Sequence, residues 1–376
     1  MRIAIYTEYF YPHIGGQEVK YYTLAKELAS KGHTVDIYTT YDMSRHLELI
    51  DGINIYRIIP YRDGFNGERK LSNIFIYALL TSISDFRTKK YDFLVVNQMP
   101  MSHLFLDYHR KFNVRYCLLD FIEYWRKPFM GAYYIKVIKN YDGFIALNKW
   151  VLRFLISVMK NVGVKKNLIL LPPPIDTSKL ASNFNEKDPF SLLYVGRLVP
   201  HKNVELLLYT LRLLTKIDKR FILNIVGRGP MEAKLRSIAL MLGINRNVRF
   251  WGYLDEDTLV KLYKKSGIYL IPSKREGYSI STLEAMACKM PVITCNYENN
   301  YTQVIVNESG SGMVTRPDPY ELAKSVLKLV TNKDLLYRLG NNACTFAKKH
   351  DVKRIATKFE YWLKDMLEGS DRVNIL

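Results

Sequence analysis

A short apolar run, a glycine-bearing loop and an amphipathic helix follow one another twice in this chain, and that repeated order constrains the fold most. Residues 2–7 are the first apolar run. The loop Phe10-Tyr11-Pro12-His13-Ile14-Gly15-Gly16-Gln17-Glu18 follows, Leu24, Leu28 and Ala29 share one helical face, Gly32-His33 ends the helix and residues 35–38 return to strand. Residues 191–195 restart the series, with Gly196-Arg197-Leu198-Val199-Pro200-His201-Lys202-Asn203 as the loop and Val204, Leu207, Leu208 and Leu211 on one side of the next helix. Strands alternating with helices predict α/β domains with parallel sheets. At 376 residues the chain exceeds what one core usually organises, so two domains are expected.

Further strands are predicted at 53–58, 93–96, 116–119, 144–146, 168–171 and 221–226, and a packed helix over 71–83. Pro172-Pro173-Pro174 makes a stiff, extended segment, because each ring fixes its own φ and biases its predecessor toward extended geometry. The polar stretch around 180–189 is read as the domain boundary. It separates a first domain over 1–180 from a second over 190–350, with a last helix over 351–368. Helices are expected at 319–330, 334–350 and 352–367. On the last of these Ile355, Phe359, Trp362, Leu363 and Met366 form an apolar stripe.

Several function classes are excluded by pattern. The Gly15-Gly16 loop is not a G-x-G-x-x-G, so a dinucleotide fingerprint is absent, though paired glycines still let backbone approach a ligand at the carboxyl edge of a sheet. Cys117, Cys288, Cys295 and Cys344 stand apart without metal-ligand spacing, which fits buried thiols in a reducing cytosol. No secretory leader or bilayer-length apolar run is read, and no D-x-D or His-Asp cluster points to a metal.

The densest chemistry lies in residues 271–294, IPSKREGYSISTLEAMACKMPVIT. An apolar strand ends near Ile271, a polar loop carries Glu276 and Gly277, and a helix opens at about Ser281, so free N–H groups of its first turn favour an anion. The spacings Ser281 to Glu284 and Ser273 to Glu276 also read as S-x-x-E capping boxes, in which each glutamate would merely satisfy a helix terminus. Upstream, Arg197 offers a planar fork and Lys202 a point charge beside a helix start, as a diphosphate requires.

Taken together, E-G-Y-S-I-S-T-L-E from Glu276 to Glu284, the G-R-x-x-x-x-K spacing of Gly196, Arg197 and Lys202, and Val248-Arg249-Phe250-Trp251-Gly252 resemble retaining nucleotide-sugar glycosyltransferases of the GT-B architecture, closest to family four. The resemblance implies two Rossmann-like domains facing a cleft, with the C-terminal helix crossing back to the first domain. It implies transfer of a hexosyl unit from a nucleoside diphosphate sugar to an acceptor hydroxyl with retention, without metal or cofactor. It assigns Arg197 and Lys202 to the diphosphate, Glu276 with Gly277, Tyr278, Ser279 and Ile280 to the sugar, and Glu284 to the ribose. Gly196, Arg228, Phe250 and Tyr253 line the nucleotide, and Gly15 and Gly16 approach the diphosphate or the acceptor. Three positions depart from the family pattern. Asp120 stands where a sugar-contacting histidine is usual, with His13 and His103 as nearby candidates for that role; prolines replace Asn-Gly in the linker; and Lys289 occupies a helix-end position usually held by glycine, where local strain is expected.

The net charge of +19 is uneven: residues 1–85 carry 9 Lys+Arg against 10 Asp+Glu, and residues 86–175 carry 15 against 5. In the second stretch cations alternate with rings, as in Tyr124-Trp125-Arg126-Lys127-Pro128-Phe129, which suits an anionic membrane surface as well as it suits a plain solvated basic face. The expected acceptor is therefore a lipid-linked sugar or a polysaccharide, at the cytoplasmic face of a membrane. Two rival readings are a sugar-nucleotide 2-epimerase, against which the E-x7-E spacing argues, and a basic binder of nucleic acid or anionic lipid with a decayed donor site.

Overall fold

The computed structural model describes residues 1–11, 15–41, 47–60, 89–98, 113–122, 130–181, 187–369 and 373–374. The chain divides into two compact units, one of Met1–Pro174 with Val352–Leu376 and one of Ile175–Asp351.

In chain order the first unit holds β1 (Arg2–Tyr6), α1 (Gly16–Ser30), β2 (Thr34–Tyr41), β3 (Leu47–Ile50), β4 (Ile53–Pro60), β5 (Tyr91–Asn97), β6 (Val114–Phe121), α2 (Met130–Asn140), β7 (Gly143–Ala146), α3 (Lys149–Val162) and β8 (Asn167–Leu170). The second holds β9 (Asp188–Val195), α4 (Glu205–Ile217), β10 (Ile222–Val226), α5 (Glu232–Met241), β11 (Val248–Gly252), α6 (Glu256–Lys265), β12 (Ser266–Ile271), β13 (Arg275–Glu276) and α7 (Ile280–Ala287). It continues with β14 (Val292–Cys295), β15 (Asn299–Asn300), α8 (Thr302–Ser309), β16 (Gly312–Thr315), α9 (Pro319–Thr331) and α10 (Lys333–Ala347). The chain then rejoins the first unit with α11 (Val352–Leu367) and β17 (Val373–Asn374).

The sheet of the second unit has the order β11-β10-β9-β12-β14-β16 and is parallel throughout. The chain winds outward from β9 through β10 to β11 and then returns to lay β12 on the other side of β9. That reversal is the topological switch of a doubly wound fold, where ligands bind beyond the strand ends. The first unit repeats the scheme in a sheet of order β17-β8-β7-β6-β5-β1-β2-β4-β3, with its switch between β1 and β5. Its β3 is an antiparallel edge added through Asp51-Gly52, both at positive φ, the turn that a two-residue hairpin favours. No strand was expected at β3, although Asp-Gly is a strong local sign of one.

Central strands such as β12 are buried on both faces and therefore read as continuous apolar runs. The apolar stripe of α11 is buried with Ile3, Ile5, Leu24, Leu28 and Val35: Ile355, Phe359, Trp362, Leu363 and Met366 all belong to that core. The C-terminal helix thus completes the first unit, as the family resemblance implied.

Lys289 has φ 58, inside the left-handed region. Its amide donates to the Met286 carbonyl at 2.9 Å and that of Met290 to Ala285 at 3.0 Å, the two bonds of a glycine-type helix ending made here by a lysine.

Candidate active site

Three loops at the carboxyl ends of β9, β10 and β11 are stitched together through their backbones. Gly196 N–H donates to Val226 O at 3.0 Å, Leu198 N–H to Arg228 O at 2.9 Å, and Gly227 N–H to Gly252 O at 2.7 Å. Only glycine permits this approach. A Cβ on Gly227, whose φ is 126, would lie 2.1 Å from the Gly196 carbonyl oxygen, and one on Gly229 would lie 2.4 Å from that of Leu198. Arg197 and Arg228 project from these loops exposed, and among the described residues neither forms an ion pair. The Arg228 guanidinium lies beside Gly252, Nε being 3.4 Å from where a Cβ there would stand. Phe250 is half-buried beneath the Arg236 guanidinium, 4.5 Å from its ring centre, while Tyr253 is 53% exposed.

On the other side of the switch, the loop after β12 carries Glu276 in β13, paired with Asn300 of β15. Lys202, at the end of a short 3-10 turn after β9, reaches across so that its Nζ lies 2.5 Å from Glu276 Oε2. The site is electropositive around this pair: burial, followed by the charges of Lys202, Arg275 and Arg197, holds the His201 ring below its ordinary pKa.

Neither capping box forms. Ser279 is the residue that caps α7, accepting from the Thr282 amide at 3.2 Å, and Ser273 precedes a strand rather than a helix. Ser281 instead donates to the Val195 carbonyl at 3.0 Å and accepts from Tyr269 at 2.8 Å, fastening the first turn of α7 to the end of β9. Glu284 is thereby left for another role. Its Oε2 accepts from the Tyr263 hydroxyl at 2.9 Å, and burial pushes its pKa up to about 7. Gly277, Tyr278 and Ser279 lead into α7, which begins at Ile280 and whose Thr282 and Leu283 amides are taken by Ser279.

In the first unit Gly15 caps α1 and Gly16 is its first residue. Asp120 lies at the end of β6, 1% exposed, where Oδ2 accepts from Lys20 Nζ at 2.5 Å and from the Tyr21 hydroxyl at 2.6 Å. The carboxylate therefore ties α1 to β6 in this structure. His13, His103, Arg126 and Lys127 lie outside the described residues, as does the helix expected over 71–83. Sequence reasoning missed Tyr263, Tyr269 and Lys20, whose partners stand 21, 12 and 100 positions away on other elements, so no local spacing announced them.

Residues 176–346 match the family model of glycosyl transferases group 1, and residues 14–179 match that of glycosyltransferase family 4. The chain is a group 1 glycosyltransferase. An uncharacterized glycosyltransferase of Methanocaldococcus jannaschii is 26% identical to this enzyme, over 91% of this chain and 92% of its own. The alpha-monoglucosyldiacylglycerol synthase of Streptococcus pneumoniae is 24% identical over 89% and 80%. Among solved structures, sucrose-phosphate synthase from Thermosynechococcus elongatus shares the GT-B fold with a TM-score of 0.80, at 18% identity over 98% of this enzyme and 100% of its own chain.

Proposed function

We propose that this enzyme moves a hexosyl unit from a nucleoside diphosphate sugar to an acceptor hydroxyl, retaining the configuration at the anomeric carbon and needing no metal. The observation that carries the reading is the Lys202 to Glu276 contact of 2.5 Å. A cation suited to a diphosphate and a carboxylate suited to sugar hydroxyls are held together on the two loops that flank the sheet's switch, next to the first turn of α7. Arg197 and Lys202 would stabilise charge on the departing diphosphate. One of its oxygens accepts the acceptor's proton as the anomeric carbon–oxygen bond breaks and the new one forms on the same face. Glu284 accepts from the ribose hydroxyls.

The acceptor is proposed to be a lipid-linked sugar or polysaccharide at an anionic, cytoplasmic membrane surface. Support comes from the exposed Lys136, Lys139, Lys149, Arg153 and Lys160 of α2 and α3, and from the name of the pneumococcal relative, a diacylglycerol glycolipid synthase. No helix among the described residues is long and apolar enough to cross a membrane. Changing Arg126 and Lys127 to Glu should abolish binding to anionic vesicles, and unchanged binding removes the membrane reading.

A calorimetric screen of uridine, guanosine and adenosine diphosphates with their hexose conjugates tests the donor site. One nucleotide should bind wild type and bind Lys202→Ala and Glu284→Ala at least tenfold more weakly. Binding of none, or equal binding to all three proteins, overturns it.

A further inference from the structure

His350 stands outside every motif considered so far, yet its ring touches the loop that carries Glu276. It is 4% exposed and ends the short 3-10 turn, Lys348–His350, after α10. Its Nδ1 lies 3.2 Å from the Phe346 carbonyl oxygen, and its Nε2 lies 2.5 Å from the Tyr278 hydroxyl. A carbonyl can only accept, so Nδ1 carries the proton and, in the neutral ring, Nε2 accepts from Tyr278. The Phe346 and Tyr278 rings lie 4.8 and 5.5 Å from the imidazole, and Tyr301 lies 5.6 Å beyond Tyr278. The Tyr301 amide in turn donates to the Glu276 carbonyl at 2.8 Å. Backbone around the turn is equally held: the His350 carbonyl accepts from Ile175 N–H at 2.9 Å, and Asp351 Oδ2 from Thr177 at 2.5 Å.

We infer that His350 is a positioning residue for the donor-sugar loop: by accepting from Tyr278 it fixes residues 277–279, whose amides stand beside Glu276. A hydroxyl at the tip of a long ring is an effective lever, since locking it restricts both χ angles of Tyr278 and with them the adjoining peptides. The imidazole is locked in its turn by Phe346, so the loop is referenced to α10 rather than to solvent. This inference rests on the donor-site reading above, because it assigns the positioned amides to the sugar and not to the nucleotide.

The distinguishing measurement is a pair of dissociation constants, for the nucleoside diphosphate and for its hexose conjugate, using whichever of the uridine, guanosine and adenosine series binds wild type. His350→Phe keeps ring volume and loses the acceptor; Tyr278→Phe loses the donor. Each should leave the diphosphate's dissociation constant within about twofold of wild type and weaken the conjugate about tenfold. The double variant should be no worse than either single one, as expected of two residues acting through one bond. His350→Gln, which retains an acceptor, should recover most of the loss. Equal weakening of both ligands, or of neither, overturns the inference. Hydrogen exchange of the unliganded protein supplies a second readout: residues 277–279 should exchange faster in His350→Phe while α9 is unchanged. If wild type binds none of the probes the donor-site reading fails, and unchanged exchange at 277–279 then overturns the positioning inference by itself.

Discussion

Lys202 Nζ and Glu276 Oε2 are 2.5 Å apart although 74 positions separate the residues, and both side chains are largely withdrawn from solvent, at 16% and 10% exposure. The pair fixes in place the cation proposed to meet the donor diphosphate. Lys202→Ala is expected to lower kcat about a hundredfold, the usual cost of removing one donor aimed at developing charge. Adding Glu276→Ala to that variant should cost less than the same change does in wild type. A double-mutant cycle on kcat/KM checks this, and additive losses would refute the pairing.

Glu284 gives the site a pH dependence with a definite sign. Burial raises its pKa from 4.5 to about 7, so between those values the native state holds a proton that the unfolded chain releases. The resulting stability is present in full below pH 4.5 and is lost as pH rises through 7. Glu284→Gln, which can still accept from Tyr263, should therefore be more stable than wild type at pH 8 by about 1–3 kcal/mol and should match it at pH 4.5. Nucleotide affinity should move the other way in wild type, rising from pH 6 to 8 as the carboxylate forms. Denaturant melts and titrations at both pH values decide the matter.

Lys289 pays for the ending of α7 with a left-handed backbone. Lys289→Gly removes the Cβ clash while keeping both terminal hydrogen bonds, and should stabilise the protein by about 1 kcal/mol. A thermal melt that is unchanged or lowered would show that the lysine's own interactions outweigh the backbone strain.

Lys20 and Asp120 form an ion pair with each side chain 1% exposed. Lys20→Met leaves an uncompensated buried carboxylate and should cost about 3–5 kcal/mol, whereas Lys20→Met with Asp120→Leu should recover most of that loss. Denaturant unfolding of the three proteins tests it; a double variant as unstable as the single one would assign the pair a role beyond charge compensation.

Periodicity and glycine placement were enough to read α/β architecture, the restart at 191 and the apolar stripe of α11, because these depend on which face of each element is apolar. The stretch from Glu276 to Glu284 was likewise conspicuous, but its meaning was divided between helix capping and ligand binding. The structure removes the capping-box reading through Ser279, which takes the cap, and Ser281, which turns to the Val195 carbonyl. Local sequence could not choose among three serines that each had the chemistry to cap a helix, since the choice depends on where β9 ends. Asp120 is the reverse case. Its position in the chain, by the family resemblance, implied a sugar contact although its residue type departed from the usual histidine, and the fold shows its carboxylate engaged by Lys20 and Tyr21 from α1.

What the sequence determined alone was the succession of strands, loops and helices, and the residue types available at each loop, because both follow from local periodicity and turn chemistry. What tertiary structure decided was which loops meet. The sheet order sets β12 beside β9 and so brings Glu276 to Lys202, burial beside Tyr263 sets the charge of Glu284, and a turn at the far end of α10 reaches Tyr278 through His350. Each of these is a contact between elements distant in sequence, made by closure of a core that no single segment encodes.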